Sequence, residues 1–257
     1  MDNTKLKSRM SGKMQEMAAP EESQMLIEAE RDAANSGFIA LSSNALDIIR
    51  ENLKNQPMSL DLFDIVKSPS GGSTVFSVPG LYGEEAEKEL TGIVLDYTTP
   101  RAYWTTPEPV EGTPPDCMSQ NSIISFDGKA CAHCPYNDYG SKDGESGAKA
   151  CKESVLIFLL RPNSILPLLV RVPVTSKARF LKYTARLVGT LRPINSVVTK
   201  ITLEKTTSKG GKPYALFNFE VVNVLDLEEA AQARAYAKQF KDVVNAAELV
   251  PELSEVG

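Results

Sequence analysis

Two hydrophobic rhythms alternate along this chain and lay out its elements. Residues 1–36 show neither; they are Met-rich, polar and charged, and predict a flexible segment. Over 38–53, Ile39, Ala45, Leu46, Ile49 and Leu53 recur at helical spacing and predict a short amphipathic helix. The stretch LFDIVKSPSGGSTVFSV predicts a hairpin, with one strand ending near Lys67, a PSGGS turn, and a return over 74–78. ELTGIVLDYTTPRAYW predicts a strand over 90–97. SVLIFLL and ILPLLVRV are continuous apolar runs, which read as strands buried on both faces. TSKARFLKYTARLVG predicts a helix capped by Thr175 or Ser176 and ended by Gly189. Its buried face is expected to hold Phe180, Thr184, Leu187 and Val188. VVTKITLEKT, SKGGK and PYALFNFEVVNVL predict a long hairpin. Alternation turns Ala215, Phe217, Phe219 and Val221 toward a core and Tyr214, Leu216, Asn218 and Glu220 away from it. LEEAAQARAYAKQFKDVVNAAEL predicts a last helix before an acidic tail.

From residue 90 the order is strand, insertion, strand, strand, helix, strand, strand. Five strands with one helix before the final hairpin is the element order of an OB-fold barrel. The expected class is therefore mainly β with α (α+β): an OB-fold-like five-stranded barrel with a zinc-ribbon insertion, an extra N-terminal hairpin and a C-terminal helix. Residues 1–36 form the flexible segment. Residues 37–226 form an OB-fold-like nucleic-acid-binding domain with the metal insertion at 112–152, and 227–257 form the helix and acidic tail. A length of 257 residues with 42% apolar content is enough for a sizeable core.

The insertion carries the sharpest chemical signal. Cys117, Cys131, Cys134 and Cys151 lie within 35 residues and are the only cysteines of the chain. They read C-x13-C-x2-C-x16-C. The x2 spacing lets two sulfurs of one tight turn reach the same ion, and the outer pair completes a tetrahedron. Pro135 and Gly140 favour a turn around the central pair. The polar N-terminus has no apolar signal region, so a reducing cytoplasmic setting is expected, or the host cytoplasm for a phage-encoded chain. That setting favours a structural zinc over an iron–sulfur cluster or disulfides. His133, the sole histidine, lies between the central cysteines and could replace one of them, although a loop role is simpler.

Charge adds a second signal. The net charge is −5, yet between Lys149 and Lys212 thirteen basic residues face two acids. A +11 segment in an acidic protein marks a polyanion footprint, or a solvated surface balanced by acids elsewhere in the fold. The apolar stretch LIFLLRPNSILPLLVRV is broken by Arg161, Pro162, Pro167 and Arg171, so no membrane association is expected.

Several enzyme classes lack their residues. There is no G-x4-G-K-[ST] loop and no H-E-x-x-H. One histidine leaves no base for Ser-His-Asp or Cys-His chemistry. No Glu-x-Lys occurs, and the one Asp-x-Lys, Asp127-Gly128-Lys129, lies inside the cysteine loop. A deaminase would need H-x-E, whereas Pro135 stands two residues after His133.

Single-strand binders combine cations that track phosphates with aromatic faces that stack on bases. Candidate contacts are Arg101, Tyr103, Trp104, Tyr136, Tyr139, Arg161, Arg171, Lys177, Lys200, Lys209, Lys212 and Tyr214. Trp104 has two open fates, stacking on a base or packing under the metal loop. The acidic end, from Asp242 onward, could compete with DNA for a basic groove or recruit replication and recombination proteins.

KSPSGGSTVFSVPG, LTGIVLDYTTPRAYW, PPDC, CAHCPYNDYGS, GAKACK and VVTKITLEKTTSKGGKPY together resemble a family of phage and prophage single-stranded DNA-binding proteins of replication and recombination. A zinc ribbon between early strands is also similar to the zinc-bearing OB domain of replication protein A. The resemblance covers roughly 60–224 and implies metal ligation by the four cysteines. The expected function is non-enzymatic single-stranded DNA binding stabilised by zinc. The alternatives are a protein-interaction module that docks on a host replication, transcription or nuclease protein, and an iron–sulfur or zinc nuclease.

Overall fold

A strand that is buried along its whole length organises the molecule: every residue of Val155–Leu160 is out of solvent. The computed structural model describes residues 38–41, 45–54, 62–106, 113–144, 147–208 and 210–245. In chain order the elements are α1 (Ala45–Leu53), β1 (Ile65–Val66), β2 (Phe76–Gly80), β3 (Gly83–Glu87), β4 (Glu89–Thr98), β5 (Arg101–Tyr103) and β6 (Cys117–Ser119). They continue with β7 (Lys152–Glu153), β8 (Val155–Leu160), β9 (Leu168–Val172), α2 (Val174–Gly189), β10 (Val197–Thr207), β11 (Pro213–Val224) and α3 (Leu227–Asn245). The class is mixed α and β, with more sheet than helix. Residues Gly37–Gly257 form one unit. The expected flexible segment 1–36 lies outside the described residues. No helix among the described residues is long and apolar enough to cross a membrane.

Six strands form one sheet in the order β1-β9-β8-β4-β10-β11. Period-2 alternation gives the sheet two different apolar faces. Val155, Ile157 and Leu159 of β8 join Val94, Val170, Ile201 and Phe217 in a core closed by Phe180, Tyr183 and Leu187 of α2. Leu156, Phe158 and Leu160 join Ile93, Leu95 and Leu169 in a second core closed by Ala233, Tyr236, Ala237 and Phe240 of α3. Phe240 meets Phe158 edge-on, with centroids 5.7 Å apart. Burial on both faces explains why β8 reads as an unbroken apolar run.

The sheet does not close into a barrel. Its free edge at β9 is taken by β1 in parallel pairing, Ile65 against Leu169 and Val66 against Val170. The expected hairpin over 62–78 is therefore corrected: β1 joins β9, and β2 pairs instead with β3. The linker explains the change. Ser70–Gly72 makes a tight turn, with Gly71 and Gly72 at φ 63 and 71, a region open to glycine. At Gly72 the linker lies against Pro213 and Tyr214, at the start of β11. Loop and strand thus occupy the space between β9 and β11, and those two strands do not pair.

Two further expectations change at α2. Its cap position is Pro173, not Thr175 or Ser176. Ser176 is instead buried, and its hydroxyl oxygen accepts the Phe217 N–H at 3.0 Å, linking helix to sheet. The buried face holds Tyr183 where Val188 was expected, and Val188 is 71% exposed. The reason is a polar pairing: the Tyr183 hydroxyl and the Thr199 hydroxyl meet at 2.7 Å inside the core.

Candidate metal centre and nucleic-acid surface

The connection between β4 and β8 folds into a lobe of its own. Its base is a three-stranded sheet, β6-β5-β7. Arg101 pairs with Ser119 on one side and Glu153 on the other, and Tyr103 pairs with Cys117. Glu153 pairs with Arg101 and Lys152 with Ala102, and Cys151 directly precedes this short strand, two residues from Glu153. Arg101, Tyr103, Cys117, Cys151 and Glu153 therefore share one sheet face. Ala102 and Trp104 lie on the other, in a small core with Met118.

The central pair sits in two successive tight turns, Cys131–His133 and Pro135–Asn137. Backbone hydrogen bonds dock this knuckle. Cys131 N–H donates to Ile123 O at 2.8 Å, and Cys151 N–H donates to Tyr136 O at 2.8 Å. The Asn137 amide donates to Cys131 O at 2.9 Å, and its oxygen accepts from Arg101 and from Lys149. Tyr136 stacks on Tyr103, with centroids 3.9 Å apart.

These contacts bring all four cysteines to one cavity of about 350 Å³, beside Arg101 and Asn137. All four are free thiols. Among the described residues, no group of three or more His, Cys, Asp or Glu side chains is drawn together closely enough to hold a metal ion. The donor type itself is suitable: four cysteines line one cavity, and thiolates are ligands of zinc and of iron–sulfur clusters. Without a cation the two outer thiols, Cys117 and Cys151, favour their protons. Burial raises the Cys117 thiol, and Asp127 and the neighbouring cysteines add to the effect. Burial pushes Cys151 up to about 11, against the opposing pull of Arg101. A bound cation would reverse this preference by holding the thiolate form. His133 is exposed at the cavity wall.

The twelve candidate DNA contacts separate into distinct environments. Trp104 packs under the lobe, 8% exposed, and its indole N–H donates to Thr113 O at 2.9 Å. Arg101 and Lys177 both pair with Glu153, at 2.7 and 2.5 Å. Arg161 pairs with Glu87 at 2.8 Å and ties the β2–β3 hairpin to the main sheet. Lys200 lies between Glu220 and Glu89 of the flanking strands. Arg171 and Tyr214 are half-buried, Lys212 is exposed, and Lys209 lies outside the described residues. Part of the basic segment is thus neutralised by acids from elsewhere in the chain. Lys182, Arg186, Arg192, Lys205 and Lys212 remain exposed, with no ion pair among the described residues.

The lobe surface keeps both residue types that single strands need. Tyr139 is 84% exposed, with the Lys149 ammonium 4.4 Å from its ring centre. Tyr103 occupies one ring face of Tyr136, which is 43% exposed. The Lys152 ammonium is lowered, first by burial and then by the like charge of Lys142, so two cations crowd together there. By contrast, the second face of β8 and β9 lies under α3, so no open strand face is left at Leu156, Phe158 and Leu169.

Sequence reasoning missed Glu153 and Asn137. Glu153 was visible as one of only two acids in the basic segment, a signal of pairing. Asn137 carried no signal, because its role depends on where Arg101 and Cys131 meet. No family model, no curated protein and no solved structure matches this chain.

Proposed function

We propose that this chain binds single-stranded DNA without cleaving it, through a zinc-stabilised lobe carried on an OB-like sheet. The pairing order β9-β8-β4-β10-β11, with α2 between β9 and β10, supports the OB reading. In strand numbers of such a barrel it is 3-2-1-4-5, and the edge that would close it is occupied by β1. In that frame the cysteine lobe is the loop between the first two strands and 208–212 is the loop between the last two. Those loops carry ligand in OB proteins. The strand face between them is covered by α3, so the loops bear the binding here.

The observation that carries the reading is the lobe surface, where the Lys149 ammonium lies over the exposed Tyr139 ring and Lys142 and Lys152 sit close to each other. Aromatic faces accept any base, and the ammonium groups follow the phosphates. Zinc on Cys117, Cys131, Cys134 and Cys151 supplies folding free energy to a lobe with a small core of its own. A role in phage-type replication or recombination follows from the resemblance, and the acidic tail would recruit partner proteins.

The test is a titration of fluorescent poly-dT at low and high salt, with duplex DNA as competitor. Binding that weakens with salt and resists duplex supports the reading. Absent or salt-independent binding overturns it.

A second reading rests on Ile123, Ile124 and Phe126, which are 65, 55 and 52% exposed on the same lobe. Such a patch suits a protein partner. Nuclease-resistant co-purification of one host protein, with no DNA binding, would select it.

A further inference from the structure

One guanidinium nitrogen of Arg101 is buried with no hydrogen-bond partner among the described residues. One terminal nitrogen donates to the Asn137 side chain, and the other to Glu153 at 2.7 Å. The third, Nε, is that buried nitrogen. The fork is planar and permanently charged, so its two anchored ends also hold Nε in a fixed place. A buried donor left unpaired is destabilising. Its surroundings suggest what it waits for. Arg101 lines the cysteine cavity, and strand register puts it on the same sheet face as Cys117 and Cys151. The guanidinium is close enough to act electrostatically on Cys151.

Four thiolates around one divalent cation carry net negative charge in a partly buried place. Such centres need donors to the sulfurs as well as ligands to the metal. We propose that Arg101 is a positioning residue of the metal centre, and that its Nε–H is the donor reserved for the Cys151 thiolate. This rests on the reading of the four cysteines as a metal site. One cation then neutralises the centre and orients Cys151. The same side chain fixes the knuckle through Asn137 and the base sheet of the lobe through Glu153. Glu153 also receives Lys177 of α2 and so joins the lobe to the main sheet's helix.

The test uses the full chain, loaded with zinc and separately with cobalt(II). Chelator competition reads metal affinity, and the cobalt–thiolate charge-transfer bands read electron density on sulfur. Arg101→Gln should weaken metal binding by about 10–100-fold and shift those bands. Arg101→Lys should recover part of the affinity. Glu153→Gln removes the ion pair but keeps an acceptor for the guanidinium and leaves Nε in place, so it should lose less affinity and shift the bands less than Arg101→Gln. Unchanged bands and affinity in Arg101→Gln overturn the proposal. Equal losses in Glu153→Gln and Arg101→Gln also overturn it, because the ion pair alone would then matter. A parent chain that takes up no stoichiometric metal defeats the underlying metal reading instead, which is a different result.

Discussion

Tyr103 and Tyr136 stack face to face, with ring centroids 3.9 Å apart and 14° between their planes. One comes from the base sheet of the lobe and the other from the turn after the central cysteines. The pair thus holds the knuckle over the strand that faces both outer cysteines. A stacked pair contributes about 0.5–1.5 kcal/mol beyond its buried area. Tyr103→Ala should loosen the knuckle and lower metal affinity. Tyr139, which stacks on no other ring among the described residues, should behave differently. Tyr139→Ala should leave metal content unchanged and lose about 1–3 kcal/mol of single-strand binding. Metal assay and oligonucleotide titration on both variants separate the two roles.

Cys131→Ser removes a buried sulfur from the knuckle. Loss of bound zinc and a lower melting temperature are expected together, because metal binding is part of the lobe's folding. Zinc content and melting equal to those of the parent chain would falsify the four-sulfur assignment.

Metal-free protein should be sensitive to alkali. Cys151 is shifted from an ordinary thiol value of 9.0 up to about 11, with burial as the leading cause. Between those values the folded chain keeps a proton that the unfolded chain releases. Stability is therefore full below about pH 9 and falls as pH rises toward about 11. Denaturant midpoints across that range should drop less steeply in Cys151→Ser. Equal slopes would mean that the thiol does not report the fold.

Phe158 tests the second face of the main sheet. It is 3% exposed and packs edge-on against Phe240 of α3. Phe158→Ala should cost about 3–5 kcal/mol, measured by denaturant unfolding. A loss below about 1 kcal/mol would show that α3 is not a fixed cover of the strand face.

At Gly92 two main-sheet strands approach closely. A methyl there would overlap the Leu160 carbonyl oxygen, in backbone that has nowhere to move. Next to it, between Val94 and Asp96, the pairing of β4 with β8 shifts register. Gly92→Ala should destabilise the chain even though alanine suits strands better than glycine does. An unchanged melting temperature would count against this strand packing.

Local pattern alone determined much of this protein. The run Val155–Leu160, the helix Val174–Gly189 and the hairpin of Val197–Thr207 with Pro213–Val224 are all legible, because side-chain periodicity is a property of adjacent residues. The grouping of four cysteines within one insertion was legible for the same reason. Only the tertiary structure decided that Ile65–Val66 joins β9 rather than folding back on β2, since strand partners are chosen across long stretches of chain. It also decided which cations stay free. Lys200 reads as an exposed base, yet Glu220 and Glu89 flank it once three strands lie side by side. Arg101 reads as a phosphate contact, yet its two terminal nitrogens are taken by Asn137 and Glu153 and its Nε is buried in the lobe. Charge in a sequence is additive, whereas charge in a fold depends on distance, and distance is set only when the sheet assembles.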